Sequence, residues 1–286
     1  MIVSFVFPPC ASLCPSLCSS FWSFRGRFRV SVVTAALLFS CMIALAQGKD
    51  APAPVSRIIP PPAGYQFLEG SSLTYAVEWH FFTAGTATIH VENAGAEKHV
   101  LATADSAGVV NMLFTVRDQF QSVVNPKTFC SLGISKHSEE GSHKRQTEIH
   151  FDYAQRKSVL EERNLKTNQI KKVENDIPGC VVDILTGFYY LGSLPLKQGD
   201  AYLLPVNDGN KTAEVRAEVE GKEQVKIPSG AYATIRVRVE ATSGALKGKG
   251  SLWIWYTDDE RHTPVQMRAK LNWGTLMFRL WNIEKH

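Results

Sequence analysis

The feature that most constrains this chain is the regular alternation of apolar and polar residues in short runs. In residues 231–240, AYATIRVRVE, every second residue from Ala233 to Val239 is apolar, and the intervening residues are threonine or arginine. Successive side chains of a β-strand point to opposite faces of a sheet, so this pattern predicts a strand with one buried and one polar face. A chain built from such runs folds as a β-sheet protein.

Further runs of β-branched and aromatic residues predict strands elsewhere. They are Leu73–His80, Gly85–Glu92, His99–Ala104, Phe129–His137, Thr147–Tyr153, Ser158–Arg163, Lys211–Glu220, Leu252–Tyr256, Val265–Leu271 and Thr275–Ile283. Turn-forming stretches such as Asn207-Asp208-Gly209 separate neighbouring runs, and short turns join strands in antiparallel order. We therefore expect a mainly β fold, an antiparallel meander that forms a sandwich or a half-open barrel.

One internal segment predicts a helix. The sequence PGCVVDILTGFYYLGSLP, which begins at Pro178, places apolar residues at three- and four-residue spacing. Pro178 opens this segment, and Gly192 and Pro195 close it, as expected for helix ends. A single helix between two β-rich halves is expected to pack across the open face of the sheet.

The N-terminal region predicts a signal peptide at residues 1–46. Three arginines, the first of them Arg25, precede an apolar run that ends in Ala44-Leu45-Ala46, the small-x-small pattern of a cleavage site. We expect cleavage after Ala46 and a periplasmic or secreted protein. The run at residues 30–46 is shorter than the roughly 20 residues of a spanning helix, so no transmembrane span is expected in the mature chain. A lipoprotein at Cys41 is the less favoured alternative, because Phe39 is bulky for that motif.

The mature chain is predicted to contain a linker and one domain. Residues 51–64, APAPVSRIIPPPAG, are too rich in proline for helix or sheet pairing, which predicts an extended linker at 47–64. Residues 65–286 then form a single β-rich domain. Without the three leader arginines the chain has 28 basic and 27 acidic residues. Such a balanced charge argues against a nucleic-acid partner.

Cys130 and Cys180 are the only cysteines after the predicted leader. In an exported protein they could form a disulfide, which would stabilise the fold by about 2 to 4 kcal/mol. Alternatively they are two buried thiols that pack as small apolar groups. The sequence leaves both alternatives open.

The order of several short motifs resembles a family of exported bacterial proteins, domain-of-unknown-function family 3108. The motifs are Leu73–Trp79 followed by Ala84-Gly85, Val116-Arg117-Asp118, Asp183-Ile184-Leu185 with Tyr189-Tyr190-Leu191, Asp208-Gly209, Ile227–Gly230, and Trp253–Trp255 with Thr257–Asp259, Arg261 and Pro264-Val265. They extend over about residues 65–283. The resemblance implies an exported β-rich domain with one central helix, and it implies no reaction.

The segment WIWYTDDERHTPV, which begins at Trp253, is the densest candidate site. Asp258, Asp259 and His262 could provide acid–base groups or hold a cation. The commoner arrangement is a turn in which an aspartate bonds to its own backbone. The sequence lacks His-x-His, HExxH, CxxC and G-x-S-x-G motifs, so we predict no metal site, no cofactor and no catalytic residue.

Aromatic residues provide the remaining clue to function. Trp253 and Trp255 fall on the same face of a predicted strand, and such a face could line a cleft that holds an acyl chain or a sugar ring. We therefore predict Trp253, Trp255, Asp259 and Arg261 as ligand-binding residues, the last two at the mouth of the cleft. Ordinary core packing is the alternative for the aromatic residues.

Our leading hypothesis is a non-catalytic envelope protein that binds a lipid, a glycan or an envelope partner. One alternative is a hydrolase-type enzyme that uses Asp258, Asp259 and His262. A structural assembly factor with a protein partner is another.

Overall fold

One antiparallel sheet makes up most of the protein. The computed structural model describes residues 56–79, 82–243, 247–248, 250–272 and 274–285. The predicted signal peptide and the first part of the predicted linker, up to residue 55, lie outside these residues. The strands are β1 (Ser71–Trp79), β2 (Phe82–Ala94), β3 (Glu97–Ser106), β4 (Val116–Val124), β5 (Ser131–Glu140), β6 (His143–Asp152), β7 (Lys157–Asn164), β8 (Ile170–Asp176), β9 (Ala201–Asn207), β10 (Thr212–Ile227), β11 (Gly230–Ala241), β12 (Gly250–Thr257), β13 (Pro264–Leu271) and β14 (Gly274–Lys285). The helices are α1 (Gly108–Leu113) and α2 (Ile184–Ser193).

Two meanders form this 14-stranded sheet. The strands β1 to β8 follow one another in space as they do in sequence, and β9 to β14 do the same. The two series join where β1 pairs antiparallel with β14. The prediction of a mainly β, antiparallel fold is therefore confirmed.

Alternation divides the sheet into an inner face, which carries the buried apolar residues, and an outer face. One row of directly paired residues crosses the inner face over six neighbouring strands. Its members, all buried, are Val219, Val237, Ile254, Met267, Phe278 and Val77. Removing this apolar area from water provides the main favourable free energy of the fold.

Helix α2 packs against the inner face. Its residues Tyr189, Tyr190 and Leu191 are buried in the apolar core. The hydroxyl of Tyr256 on β12 donates a hydrogen bond to the carbonyl of Phe188 at 2.8 Å. At Gly192 an added Cβ would lie 3.3 Å from the Tyr256 ring, so a larger residue would push the helix end away from the sheet.

The start of this helix differs from the prediction. The helix begins at Ile184, whereas the sequence suggested Pro178. Before it, Val182 forms a parallel bridge with Val206 of β9, which keeps the preceding segment extended. The N-cap is Asp183, whose Oδ1 accepts hydrogen bonds from the backbone N–H groups of Leu185 and Thr186. A carboxylate cap sets the helix start here, because it satisfies N–H groups that lack a partner in the first turn.

Asp183 also connects α2 to the sheet. Its Oδ2 accepts hydrogen bonds from the hydroxyls of Ser131 (2.6 Å), Thr186 (2.7 Å) and Ser122. Ser122 lies on β4, Ser131 begins β5, and all of these groups are buried. One carboxylate thus satisfies three hydroxyls and two backbone donors at the point where helix and sheet meet.

Other strands and one helix were missed by the sequence analysis: β4, β8, β9 and α1. In β4, VRDQFQSVV, polar Asp118 and Ser122 occupy inner positions, so the apolar alternation is lost. Strand β8 is the last strand on one side of the sheet and is largely exposed, so its sequence lacks an apolar face. Strand β9 contains Pro205, a residue confined to edge strands, and it ends the other side.

Strand β8, the last strand on one side of the sheet, contacts the turn that follows β9, the last strand on the other side. No ladder pairs β8 with β9 in the part of the chain that the structure describes. Instead Asn175 Nδ2 on β8 donates to the carbonyl of Gly209 at 3.1 Å. Gly209 has a φ of 87° and lies against Ile149 and Leu160 on β6 and β7, where a Cβ would come within 2.8 Å of both side chains. A glycine is therefore required at this contact.

Cys130 and Cys180 are joined by a disulfide with a Cα–Cα distance of 5.1 Å. The bond links the β4–β5 connection to the segment that leads into α2. Of the described residues, neither helix is long and apolar enough to cross a membrane.

Replacing Asp183 is expected to destabilise the whole domain. In Asp183→Ala the helix loses its cap and three buried hydroxyls lose their acceptor, so the free energy of unfolding should fall by about 3 kcal/mol. Urea unfolding followed by circular dichroism measures it. Asp208→Ala is the control, since Asp208 Oδ1 bonds only to exposed turn N–H groups, and it should cost less than about 1 kcal/mol. Equal losses in the two variants would contradict this role of Asp183.

Replacing both cysteines tests the disulfide. Cys130→Ser/Cys180→Ser removes a cross-link with a sequence separation of 50, which should lower the free energy of unfolding by about 2 to 4 kcal/mol. Urea unfolding of the two proteins without reductant gives the difference. Adding a reductant should destabilise the native sequence and leave the variant unchanged, and an unchanged native sequence would argue against the bond.

Candidate functional site

The two tryptophans of the predicted ligand site lie on the outer face of the sheet. Trp253 is the direct neighbour of Arg238 on β11 and of Arg268 on β13. The guanidinium of Arg268 lies 4.2 Å from the centre of the Trp253 ring, close enough for a cation–π contact. Trp255 is buried, and its Nε1 donates to Glu223 Oε1 at 2.7 Å. Both rings therefore have charged partners from neighbouring strands.

The acidic turn after Trp255 consists of groups with local partners. Asp259 Oδ1 accepts from Thr257 Oγ1 at 2.8 Å and from the backbone N–H of Arg261 at 3.0 Å. Asp258 pairs with Lys222 at 2.7 Å, and His262 Nδ1 lies 2.8 Å from the carbonyl of Gly192. The structure thus places Asp258, Asp259 and His262 in one turn but gives each a separate partner. Asp259 and Arg261 lie in this turn beyond the strand end, whereas the tryptophans lie within the strand.

A different group of ionisable residues lies on the inner face, where β4, β5, β6 and β7 run side by side. Ser122 reaches Asp183 at the helix, so it faces inward, and alternation puts Asp118 and Phe120 on the same side. Phe120 pairs directly with Lys136 of β5, which places Lys136 and Glu140 on that side too. The pairing of β5 with β6 and of β6 with β7 places Arg145 and Glu162 on the same face. We call Asp118, Lys136, Glu140, Arg145 and Glu162 the inner charged cluster.

Asp118 and Glu140 are buried carboxyl groups in hydrogen-bond contact with each other. Burial raises the pKa of Asp118, and burial together with the neighbouring Asp118 charge raises the pKa of Glu140 to about 7. The charge of one carboxylate raises the cost of ionising the other, so Glu140 takes up a proton as pH falls below about 7.

Lys136 lies above this pair and over an aromatic ring. Its Nζ is 4.9 Å from the centre of the Phe120 ring. Burial lowers the pKa of Lys136, while the charges of Asp118 and Glu140 act in the opposite direction. Beside it, Arg145 and Glu162 approach to 3.9 Å and are partly exposed. The cluster therefore contains both signs of charge and extends from a buried pair to a solvent-accessible pair.

The sequence analysis missed this cluster, although one signal was present. Val116-Arg117-Asp118 was among the motifs of the family resemblance, but β4 was not predicted as a strand. With β4 placed, alternation alone would have put an aspartate and a phenylalanine on the same face. Within the described residues, no group of three or more His, Cys, Asp or Glu side chains is arranged to hold a metal ion.

Comparison with known proteins places the chain in a family. The family model "Protein of unknown function (DUF3108)" matches residues 74–280. The chain belongs to the DUF3108 family. The resemblance seen in the sequence motifs is thereby confirmed. No functionally characterised, curated protein is detectably similar to this DUF3108 chain.

Solved structures support the fold class. A β-barrel-like DUF1849 protein from Brucella abortus matches with a TM-score of 0.56 at 6% sequence identity, over 80% of this chain and 99% of that one. A Bacteroides fragilis protein described as an exported protein with a YmcC-like fold has a TM-score of 0.34 at 12% sequence identity. The match covers 81% of this chain and 100% of that one. A Parabacteroides distasonis protein described as a lipoprotein has a TM-score of 0.29 at 10% sequence identity. The match covers 80% of this chain and 100% of that one. Only the first is similar enough to support an argument about the fold.

The carboxyl pair should make stability depend on pH. Glu140 has a pKa of about 7 in the folded protein and a lower value when unfolded, so the free energy of unfolding falls as pH rises from about 4.5 to about 7. Glu140→Gln removes this loss. We expect the variant to gain about 2 kcal/mol relative to the native sequence between pH 5 and pH 8, measured by urea unfolding at both.

Glu139→Gln is the matched control. Glu139 is the adjacent residue on the opposite face, and its hydrogen bond with Lys144 lowers the pKa of Glu139. Its contribution to stability is therefore lost only below about pH 5, and between pH 5 and pH 8 the stability of this variant relative to the native sequence should stay nearly constant. A Glu140→Gln difference that is the same at both pH values would show that Glu140 takes up no proton in this range.

Proposed function

We propose that this DUF3108 protein is a non-catalytic envelope protein that binds an amphipathic small molecule on the inner face of a half-open barrel. In this proposal the signal peptide is removed after Ala46, and the body at residues 65–286 acts as one domain. The observation that carries the proposal is the inner charged cluster. Charged side chains on the core-facing side of a sheet cost free energy unless they have partners or a function.

The composition of the inner face supports an amphipathic ligand. Phe120, Val110 and Trp79 are partly buried and pack against the apolar core. Arg145 and Glu162 retain access to solvent. Binding sites for small molecules usually combine apolar walls with a few convergent polar groups that fix orientation. The apolar part of a ligand would pack against the aromatic side chains, and its polar head would bond to Lys136 and Arg145.

The protonation state of the cluster supports binding of an uncharged or singly charged head group. With one proton on the Asp118–Glu140 pair, the charges of the cluster balance. A lipid with a polar head satisfies both the apolar and the polar groups. A sugar ring can stack on Phe120 or Trp79 but offers no apolar partner to the aliphatic Val110, so we favour the lipid over the glycan.

The predicted Trp253, Trp255, Asp259 and Arg261 site is a weaker basis for this function. The tryptophans already contact arginine and glutamate side chains, and Asp259 bonds within its own turn. A ligand at these residues would have to replace those partners. We therefore propose the inner charged cluster as the principal site and the outer tryptophans as a secondary one.

Native mass spectrometry tests the proposal. The protein is purified from the envelope of a bacterial host that expresses the full chain, and any bound molecule is identified after denaturing extraction. We expect a stoichiometric lipid adduct in the native sequence. Lys136→Gln should lower its occupancy at least about fivefold, because the polar head loses a charged partner in a partly buried site.

Lys144→Gln is the matched control for this experiment. Lys144 lies on the neighbouring strand, faces outward and pairs with Glu139 at 2.9 Å. This variant should keep full occupancy. The absence of an adduct on the native protein would contradict the proposed site. Equal occupancy of the adduct on the native protein and on Lys136→Gln would also contradict it.

A further inference from the structure

The most exposed large apolar side chains in the described part of the chain lie together at one end of the sheet. Met112 is 84% exposed, Leu113 80%, Val109 69% and Phe82 68%. The first three belong to α1, which lies against the start of β2, where Phe82 is located. Phe114, which follows α1, is also exposed. We call Phe82, Val109, Met112, Leu113 and Phe114 the α1 patch.

Helix α1 has the reverse of the usual amphipathic arrangement. Positions 109, 112 and 113 share one helical face, and this apolar face points to solvent. The opposite side carries Asn111, whose Oδ1 accepts a hydrogen bond from Ser106 Oγ at 2.8 Å. Val110 also packs inward, against the core. A surface helix of a soluble domain normally buries its apolar face, so this arrangement requires another explanation.

Hydrogen bonds on both sides hold the helix in this orientation. Before it, the backbone N–H of Ala107 donates to the carbonyl of Ala84 at 2.8 Å. After it, the N–H of Gly141 in the β5–β6 turn donates to the carbonyl of Thr115 at 2.7 Å. The Phe114 ring packs over Gly141, where a Cβ would lie only 2.6 Å away. The apolar side chains are thus presented by a fixed segment.

We propose that the α1 patch inserts into the interfacial region of a lipid bilayer. Side chains with two thirds or more of their surface exposed stand clear of the protein, and fluid lipid can surround them, whereas a flat protein surface would touch only their tips. The patch consists of valine, leucine, methionine and phenylalanine, and none of these side chains has a hydrogen-bond donor that needs a polar partner. Insertion of such residues to a shallow depth is typical of proteins that bind membrane surfaces.

The charge around the patch fits an uncharged lipid surface. Residues 106–116, SAGVVNMLFTV, contain no ionisable side chain. The nearest charged residues in sequence, Asp105 and Arg117, are direct cross-strand partners and balance each other. In the neighbouring β5 and β6, Glu139 and Lys144 form a salt bridge at 2.9 Å and also balance each other. Binding is therefore driven by apolar burial and should be insensitive to salt. This inference does not depend on the ligand proposed above.

Vesicle flotation tests the inference. Protein purified after expression of the full chain is mixed with neutral phosphatidylcholine vesicles, at low and high salt. We expect the native sequence to float at both salt concentrations. Met112→Ser/Leu113→Ser should lower the partition coefficient about tenfold or more, because two inserted apolar side chains are lost.

Trp281→Ser/Ile283→Ser provides the matched control. These residues of β14 are 62% and 40% exposed. Ile283 pairs with Leu73 near the start of β1, and Trp281 lies at the adjacent register shift, at the opposite end of the sheet from α1. The control variant keeps the N-terminus of the native sequence and loses an apolar area similar to that lost in the α1 variant. It should therefore float like the native sequence. Circular dichroism confirms that each variant is folded.

Other outcomes overturn the inference. A native sequence that stays with the soluble fraction, or an α1 variant that floats equally well, excludes bilayer insertion through this patch. A native dimer that Met112→Ser/Leu113→Ser converts to a monomer, without vesicle binding, would identify the patch as a contact between copies of the chain.

Discussion

The pairing of the first strand with the last is the contact on which the rest of the structure depends. Strand β1 runs from Ser71 and β14 ends at Lys285, and these two residues are register partners. Without this ladder the chain would form two separate meanders, each with an open apolar edge. With it, the apolar row crosses from β10 to β1 without interruption. Because the contact joins residues about 200 positions apart, we expect this ladder to form after the local hairpins.

The connection between the two meanders is the second consequence of this topology. Strands β8 and β9 end the sheet order on either side, and Asn175 on β8 contacts Gly209 after β9, so the segment between these strands joins neighbouring parts of the molecule. This segment carries α2 against the inner face, fixed by Asp183 and by the Cys130–Cys180 bond. The core around α2 is closely packed and apolar. On β6 and β7 the inner residues Ile149, Phe151 and Leu160 belong to a second apolar cluster, and the charged side chains occur on the same strands, nearer the β5–β6 turn.

Alternation in the sequence predicts strands well where the inner residues are apolar, as at Ala233, Ile235, Val237 and Val239. It fails where the inner face is polar, as in β4, because the signal is the burial of apolar side chains and not the strand itself. It also fails at β8 and β9, where edge positions relax the pattern. The family and the mainly β fold were therefore predictable from the sequence. The inner charged cluster was not, because it depends on the registers that bring Asp118, Lys136 and Glu140 together.

Sequence patterns also gave no indication of the orientation of α1. The run GVVNMLF at residues 108–114 has an apolar majority, which would ordinarily predict a buried segment. Only the anchoring of Asn111 by Ser106 shows which side faces inward. The β3–β4 and β5–β6 connections both lie at one end of an antiparallel sheet, so α1 and Glu140 occupy the same end.

Two departures from the usual rule of burial thus coincide at this end of the sheet. Charged groups point inward at Asp118 and Glu140, and apolar groups point outward at Met112 and Leu113. Each arrangement lowers stability on its own, and a sequence selected for stability alone would lose both. Both proposals, ligand binding at the inner charged cluster and membrane contact through the α1 patch, therefore concern the same end of the sheet.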